Sequence, residues 1–279
     1  MNPVGLTQAH DLEYTRYGIP HFSCVRKPAE TLFPTRQTIV APAILFILMI
    51  VLPIAISYTR VQTDSSLPDG TDVLIVDDLG LPNEYRMPTS ITDLIKSSRT
   101  QVEYVSGLTI EQFSSLASLD YRLIILRVHS GPDAISMDQK YTSSAYVPQQ
   151  LRNEVSAFRL DSGTIAFTVT PMFVQNDMNG IFRHRAIIMI EGCGALGDAG
   201  LAQAFLGRGA AALVGWDKPV TLSQADQVTE RVLEKFLLYG RTLGNSVSES
   251  MRELGPDPLT GASLKYYPPS AYSVSYDYT

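Results

Sequence analysis

The segment RAIIMIEGCGALGDAG, residues 185–200, places an apolar run directly before a glycine-rich turn. An apolar run of this length indicates a strand that is buried on both faces of a parallel sheet. Glu191, Gly192 and Cys193 end the run, and more glycines follow. Because ligands and reactive side chains collect at the carboxyl ends of parallel strands, the turn predicts either a cysteine nucleophile or a phosphate cradle.

Strand and helix patterns alternate over most of the chain from residue 72 onward. The predicted strands are 72–79, 101–107, 121–131, 185–192 and 211–216, and the predicted helices are 90–98, 109–119, 201–210, 223–242 and 246–254. A β-hairpin is predicted from EVSAFRL (154–160) and TIAFTVTPMF (164–173), which flank Asp161-Ser162-Gly163, whereas residues 132–153 carry turn formers without a strong period. The alternation predicts an α/β domain with a mainly parallel sheet.

A membrane-spanning helix is predicted at residues 38–58, TIVAPAILFILMIVLPIAISY. The segment contains no charged residue and is long enough to cross a bilayer. Four basic residues precede it and Arg60 alone follows it closely, so the N-terminus is expected in the cytoplasm and the large C-terminal part outside. A cleaved signal peptide or a buried core helix is the alternative, but the segment starts late for a signal peptide.

The sequence therefore divides into five regions. They are a cytoplasmic tail (1–37) expected to be disordered, a transmembrane helix (38–58), a linker (59–71), an α/β domain (72–268) and an irregular C-terminal tail (269–279). This organisation makes the chain a single-pass membrane protein whose only expected lipid contact is residues 38–58.

Charge and cysteine content argue against several classes of protein. Residues 61–279 hold 17 Lys and Arg against 25 Asp and Glu, a net charge of −8. A nucleic-acid partner needs a basic face, so none is expected. Cys24 and Cys193 are predicted to lie on opposite sides of the membrane and cannot pair within one chain. Cys193 is therefore a buried apolar residue or a reactive thiol.

The ends of the predicted strands supply the candidate reactive residues. The third strand ends at His129 and the fourth at Cys193. If these strands are parallel neighbours, both side chains emerge at one edge, where the imidazole can take the thiol proton. Gly192 and Gly194 would leave room for a substrate near the sulfur. The alternative is a buried cysteine and a solvated histidine without a catalytic role.

Three segments follow the order strand–His–Gly, hairpin, strand–Cys–Gly. They are LIILRVHSG (123–131), FRLDSGTIAF (158–167) and AIIMIEGCGA (186–195). In this order they resemble the caspase-like fold of clan CD cysteine peptidases, especially its gingipain and CHAT-domain branches. The resemblance covers about residues 72–268 and implies a three-layer sandwich. It also implies a membrane-anchored cysteine endopeptidase that acts on a peptide or protein substrate without a cofactor.

The resemblance assigns roles to residues at the two strand ends. It implies that His129 is the general base, that Cys193 is the nucleophile, and that N–H groups of Gly131, Cys193 and Gly194 hold the oxyanion. The family usually places glycine directly after the histidine, whereas Ser130 intervenes here. A catalytically inactive relative that acts as a binding or scaffold domain is therefore the second hypothesis.

Three further residues are candidates for substrate binding. By resemblance, Glu191 would receive a basic side chain of the substrate, and Trp216 and Asp217 lie at the end of the fifth strand. The alternative for Glu191 is a solvated glutamate at a strand end.

Other chemistries remain open from the sequence. The pattern Gly192-x-Gly194-x-x-Gly197, with Asp217 at the next strand end, matches a dinucleotide-binding fingerprint, although it arrives late in the domain. A phosphorylated receiver domain would use Asp77 and Asp78, but its third strand should end in aspartate.

No metal site is predicted, because no cluster of potential ligands has metal-binding spacing. A calcium ion bound by loop carboxylates around Asp133 and Asp138 is left open.

Overall fold

The computed structural model describes residues 67, 72–79, 86–160 and 162–276, all within one unit that spans residues 63–279. The predicted tail 1–37, the predicted membrane-spanning segment 38–58 and nearly all of the linker 59–71 lie outside the described residues. Among the helices of the described residues, none combines the length and the apolar character that a bilayer span requires.

The described residues form two sheets. Their strands are β1 (Val73–Asp78), β2 (Val102–Val105), β3 (Leu123–Val128), β4 (Ser130–Gly131), β5 (Ala134–Lys140), β6 (Val155–Arg159), β7 (Ile165–Val169), β8 (Ile187–Ile190), β9 (Ala212–Trp216) and β10 (Leu264–Tyr267).

The larger sheet has the order β10-β9-β8-β3-β1-β2. Its strands are parallel except β10, which runs antiparallel to β9. Every residue of β1, β3, β8 and β9 is buried, because these mostly apolar strands are covered on both faces. The prediction of an α/β domain with a mainly parallel sheet is confirmed.

Helices cover both faces of this sheet. They are α1 (Thr89–Ser97), α2 (Ile110–Ser115), α3 (Val147–Leu151), α4 (Pro171–Asn176), α5 (Gly200–Gly207), α6 (Leu222–Leu233), which continues as a π-helix (Glu234–Leu238), and α7 (Leu243–Leu254). Helices α2, α4 and α5 contribute to the core on one face, and α1, α6 and α7 to the core on the other.

Large apolar side chains hold these layers together. On one face the ring of Phe113 lies 6.1 Å from that of Phe173 and 6.3 Å from that of Phe205. On the other face Trp216 is completely buried, and Val228 and Val232 of α6 belong to the same core. Burying each such side chain contributes about 1.5–3 kcal/mol, so the cores fix the helices on the sheet.

The second sheet connects the two strands that end at the candidate residues. It has the order β4-β5-β7-β6 and is antiparallel, and β6 and β7 form the predicted hairpin. This sheet starts directly after β3, and the chain returns through α4 to β8, which pairs with β3.

Three regions differ from the sequence-based expectation. Residues 132–153 contain β5 and α3, and α4 starts at Pro171 inside the segment predicted as the second hairpin strand. The expected irregular tail (269–279) contains a 3-10 helix (Pro269–Ser273), and β10 lies just before it in a segment where no strand is predicted. Strand β5 has only a short buried stretch, and β10 is an edge strand, so neither has a strong local pattern. Pairing of β5 with β7 and of β10 with β9 stabilises these strands more than local propensity does.

Candidate active site

Strands β3 and β8 bring the two candidate residues to one edge of the larger sheet. They are parallel neighbours, and Leu126 lies opposite Ile190 in their last register pair. His129 directly follows the end of β3, and Cys193 lies in the turn after β8. Both residues are partly exposed. Past this edge the chain therefore forms a rim that carries an imidazole and a thiol, which we call the Cys–His rim.

A close backbone approach joins the two halves of the Cys–His rim. A β-carbon at Gly192 would lie 2.3 Å from the carbonyl oxygen of Val128 and 2.4 Å from Oγ of Ser130. The Ser130 hydroxyl also donates a hydrogen bond to the carbonyl oxygen of Cys193 at 3.0 Å. Gly192 therefore serves this contact between strand ends, and not the access of a substrate that the sequence suggested.

The contact of His129 defines its tautomer. Nε2 of His129 lies 3.3 Å from the carbonyl oxygen of Leu79, which follows β1. A carbonyl oxygen can only accept, so Nε2 carries the proton of this hydrogen bond. In the neutral ring Nδ1 is then unprotonated and can act as a base.

Cys193 is partly exposed, and its thiol is not hydrogen-bonded to His129. Its Sγ lies 3.9 Å from the carbonyl oxygen of Val220, and within the described residues no hydrogen bond joins it to His129. Catalytic hydrogen bonds are often long without a substrate and tighten in the complex.

The proposed oxyanion donors differ in what they contact. The Cys193 amide donates to no acceptor in the described part of the chain. Gly194 has a left-handed φ of 62°, and its N–H donates to the carbonyl oxygen of Lys218 at 3.0 Å, so it does not face a substrate. Gly131 is the last residue of β4, and the next residue, Pro132, packs against the turn at Gly197. Cys193 is the stronger of the predicted donors, and Gly194 is not placed to contribute.

Two of the predicted substrate-binding residues are buried. The side chain of Glu191 is 0% exposed and Trp216 is 0% exposed. Neither can touch a substrate in this conformation, because both side chains lie beneath the surface of the domain. Asp217 is partly buried, accepts a hydrogen bond from the Ser263 amide at 2.8 Å and pairs with Lys265 at 2.8 Å.

A buried group of charges lies beneath the Cys–His rim. Nη1 of Arg127 lies 2.7 Å from Oδ1 of Asp77, and Nε lies 3.0 Å from Oδ1 of Asp226 and 3.5 Å from Oε1 of Glu191. Asp77 belongs to β1, Arg127 to β3 and Asp226 to α6, and Glu191 follows β8. This Arg127 cluster therefore ties together three neighbouring strands and one helix.

The buried acid Glu191 has a raised pKa. Burial and the adjacent Asp226 raise the pKa of Glu191 well above its usual range, although Arg127 opposes the shift. A second buried acid, Asp78, points to the other face of the sheet. Burial and nearby Asp138 raise the pKa of Asp78 to about 8.

Arg127 and Asp226 are functional-site neighbours that the sequence patterns do not predict. One local signal for the cluster is Arg127 itself, a charged residue inside the apolar run LIILRV. A buried charge needs a partner of opposite charge, so the run indicates that a carboxylate lies nearby. The identity of the partners could not be read from the sequence, since Asp226 is 99 residues away.

The glycine turn does not have the contacts of a phosphate cradle. The N–H groups of Gly194, Leu196 and Gly197 all donate to backbone carbonyl oxygens of the domain. A cradle needs such groups to face the ligand. Asp217, the expected ribose ligand, is paired with Lys265. These contacts disfavour the dinucleotide-binding alternative.

A metal site is not formed by the residues that the structure describes. No group of three or more His, Cys, Asp or Glu side chains in those ranges could hold an ion. Asp133 and Asp138 are both exposed, and Asp138 packs against Gly107.

The structure thus places His129 and Cys193 past the same edge of the larger sheet, joins Ser130 to the Cys193 carbonyl and buries Glu191 and Trp216. Neither a protein-family model nor a curated protein matches the sequence. The case for a function therefore depends on the geometry of the Cys–His rim.

Replacing Arg127 by alanine is expected to lower the free energy of unfolding by about 3–5 kcal/mol, because buried carboxylates lose their cation. The control is Arg159→Ala, which removes an exposed arginine on β6 and should change stability by less than about 0.5 kcal/mol. Urea unfolding monitored by circular dichroism measures both. Equal losses in the two variants would contradict the role of the cluster.

Gly192→Ala is expected to cost about 1–3 kcal/mol, since the new methyl group collides with backbone of β3. Gly207→Ala is the matched control, because a β-carbon at Gly207, in α5, meets nothing within 4 Å. It should be neutral or slightly stabilising. If Gly192→Ala unfolds at the same urea concentration as the control, the close approach is wrong.

Asp78 should make stability depend on pH. Its pKa of about 8 in the folded state exceeds the ordinary value near 3.8, so the folded protein holds a proton that the unfolded chain releases. The contribution is complete below about pH 4 and is lost as the pH rises through about 8. Asp78→Asn should flatten this decline in urea unfolding, and Asp133→Asn, at an exposed position, should leave it unchanged. A wild-type profile that rises over this window would exclude the assignment.

Proposed function

We propose that the chain is a membrane-anchored cysteine endopeptidase of the caspase-like type. Its nucleophile is Cys193, its general base is His129, and its anchor is residues 38–58. The observation that carries the proposal is the pairing of β3 with β8, which places an imidazole and a thiol on one rim. The order of elements, with a hairpin between these strands and α5 and β9 after the cysteine, agrees with the resemblance.

The tautomer of His129 supports its role as base. Its Nε2–H is held by the Leu79 carbonyl, so Nδ1 is left to accept the thiol proton. Holding the base with a third group is the arrangement that nucleophilic catalysis requires. The Leu79 carbonyl is a positioning group, since it does not touch the reacting atoms.

The reaction follows from these two side chains. His129 takes the proton of the Cys193 thiol, and the thiolate sulfur attacks the carbonyl carbon of a peptide bond. The Cys193 amide stabilises the oxyanion. His129 returns the proton to the nitrogen as the C–N bond breaks, which releases the amine and leaves a thioester. His129 then takes a proton from water, whose oxygen attacks the thioester, and the carboxylic acid leaves as the proton returns to sulfur.

Substrate selection by Glu191 is not part of the proposal. Its carboxyl group is buried beside Arg127, so a substrate cation would have to displace that guanidinium. Asp217, which is partly exposed, remains a candidate for substrate contact.

A non-catalytic binding or scaffold domain is the second candidate. The observation that favours it is the separate hydrogen bonding of the two groups: the thiol contacts the Val220 carbonyl and the imidazole contacts the Leu79 carbonyl. The same fold serves both functions, so only reactivity distinguishes them.

Labelling of the full-length protein with a peptidyl acyloxymethyl ketone distinguishes the two functions. We expect labelling of Cys193, mapped by peptide mass spectrometry, to fall at least about 100-fold in His129→Ala, because general-base catalysis contributes roughly 10²–10⁴. Cys24 in the same molecules is the internal control thiol, and its labelling should not change.

His184→Ala is the control for loss of an imidazole, since His184 is exposed and precedes β8 at the opposite end of the strand. It should label at the wild-type rate. Labelling of Cys193 that is indifferent to His129→Ala would refute the peptidase and favour the scaffold.

A further inference from the structure

A cavity lies at the edge of the larger sheet opposite the Cys–His rim. It has a volume of about 240 Å³, and its lining includes Arg122, which precedes β3, and Ile187, the first residue of β8. The same two strands therefore carry the Cys–His rim at one end and this cavity at the other. With a rise near 3.3 Å per residue, the two sites are separated by roughly 15 Å or more.

The charged side chains that line the cavity are the guanidinium groups of Arg122 and Arg185. His184 lines it as well, and no carboxylate of the described residues does. The carboxylate of Asp120 lies 3.6 Å from Nε2 of His184. A concentration of cationic side chains is unusual in residues 61–279, whose net charge is −8. The cavity therefore favours an anion.

Arg185 is held at the cavity by an unusual backbone conformation. Its φ is 53°, in the left-handed region that arginine seldom adopts, and its N–H donates to the Phe182 carbonyl at 2.9 Å. The side chain is exposed and forms no ion pair within the described ranges. Strained backbone of this kind is concentrated at binding sites.

The remaining walls would suit the organic part of a ligand. Ile187, Val274 and Tyr276 line the cavity beside the cations. The volume of about 240 Å³ corresponds to roughly eight water molecules, enough for one anionic group and a small ring.

We propose that this cavity binds a small organic phosphate monoester. Guanidinium groups line the cavity, and the planar fork of their N–H donors fits phosphate oxygens. The apolar wall then contacts the organic group. This site is independent of the proposed peptidase chemistry.

Calorimetric titration of the full-length protein with phenyl phosphate tests the proposal. We expect saturable binding that Arg185→Gln weakens at least about tenfold, because a hydrogen bond to a charged group contributes about 1.5–3 kcal/mol. Arg183→Gln is the matched control, since Arg183 lies in the same exposed loop but does not line the cavity. It should bind like the wild type.

Three results would overturn the proposal. They are no saturable binding of phenyl phosphate by the wild type, an equal loss of affinity in Arg183→Gln and Arg185→Gln, and tighter binding of benzoate than of phenyl phosphate. Phenol, which has the ring without the anion, should bind more weakly than phenyl phosphate. Circular dichroism of both variants confirms that each is folded.

Discussion

The geometry of the domain depends on the ion pairs that the buried guanidinium of Arg127 forms. It contacts carboxylates from β1, from α6 and from the turn after β8, while it belongs itself to β3. A buried charge is tolerated only when its partners stay in place, so each of these elements is constrained by the others. His129 lies two residues beyond Arg127, and Cys193 lies two residues beyond Glu191. The cluster thus fixes the strand ends from which the side chains of His129 and Cys193 extend.

A close backbone approach also joins the two halves of the Cys–His rim. Gly192 lies against the Val128 carbonyl at a distance that no larger residue allows, and Ser130 bonds to the Cys193 carbonyl. Ser130 follows His129 at the position where the caspase-like family, which the sequence resembles, usually has glycine. Here Ser130 has a structural role, because it links the turn after β3 to the turn after β8.

Much of the fold could be predicted from the chain, because long apolar runs and amphipathic repeats are strong local signals. The strands around Val76, Ile125 and Ile188 were predicted in this way, as were the helix around Val228 and the hairpin around Gly163. The elements that were missed, such as β5 and β10, have weak patterns and form because a neighbouring strand pairs with them. The positions of His129 and Cys193 at one edge of the larger sheet were predicted from strand ends alone. The contacts of His129 with Leu79, and of Gly194 with Lys218, join positions far apart in sequence and leave no local signal.

The sequence by itself determined the secondary structure of the central strands, the acidic character of the domain and the positions of His129 and Cys193 at strand ends. These properties follow from composition and periodicity, which act within a few residues. Only the tertiary structure decided that Glu191 and Trp216 are buried, that Gly194 donates to the domain and that cationic side chains meet at the opposite edge. The reason is physical: the direction and solvent access of a side chain at a strand end depend on the elements packed against it, and these come from distant parts of the chain.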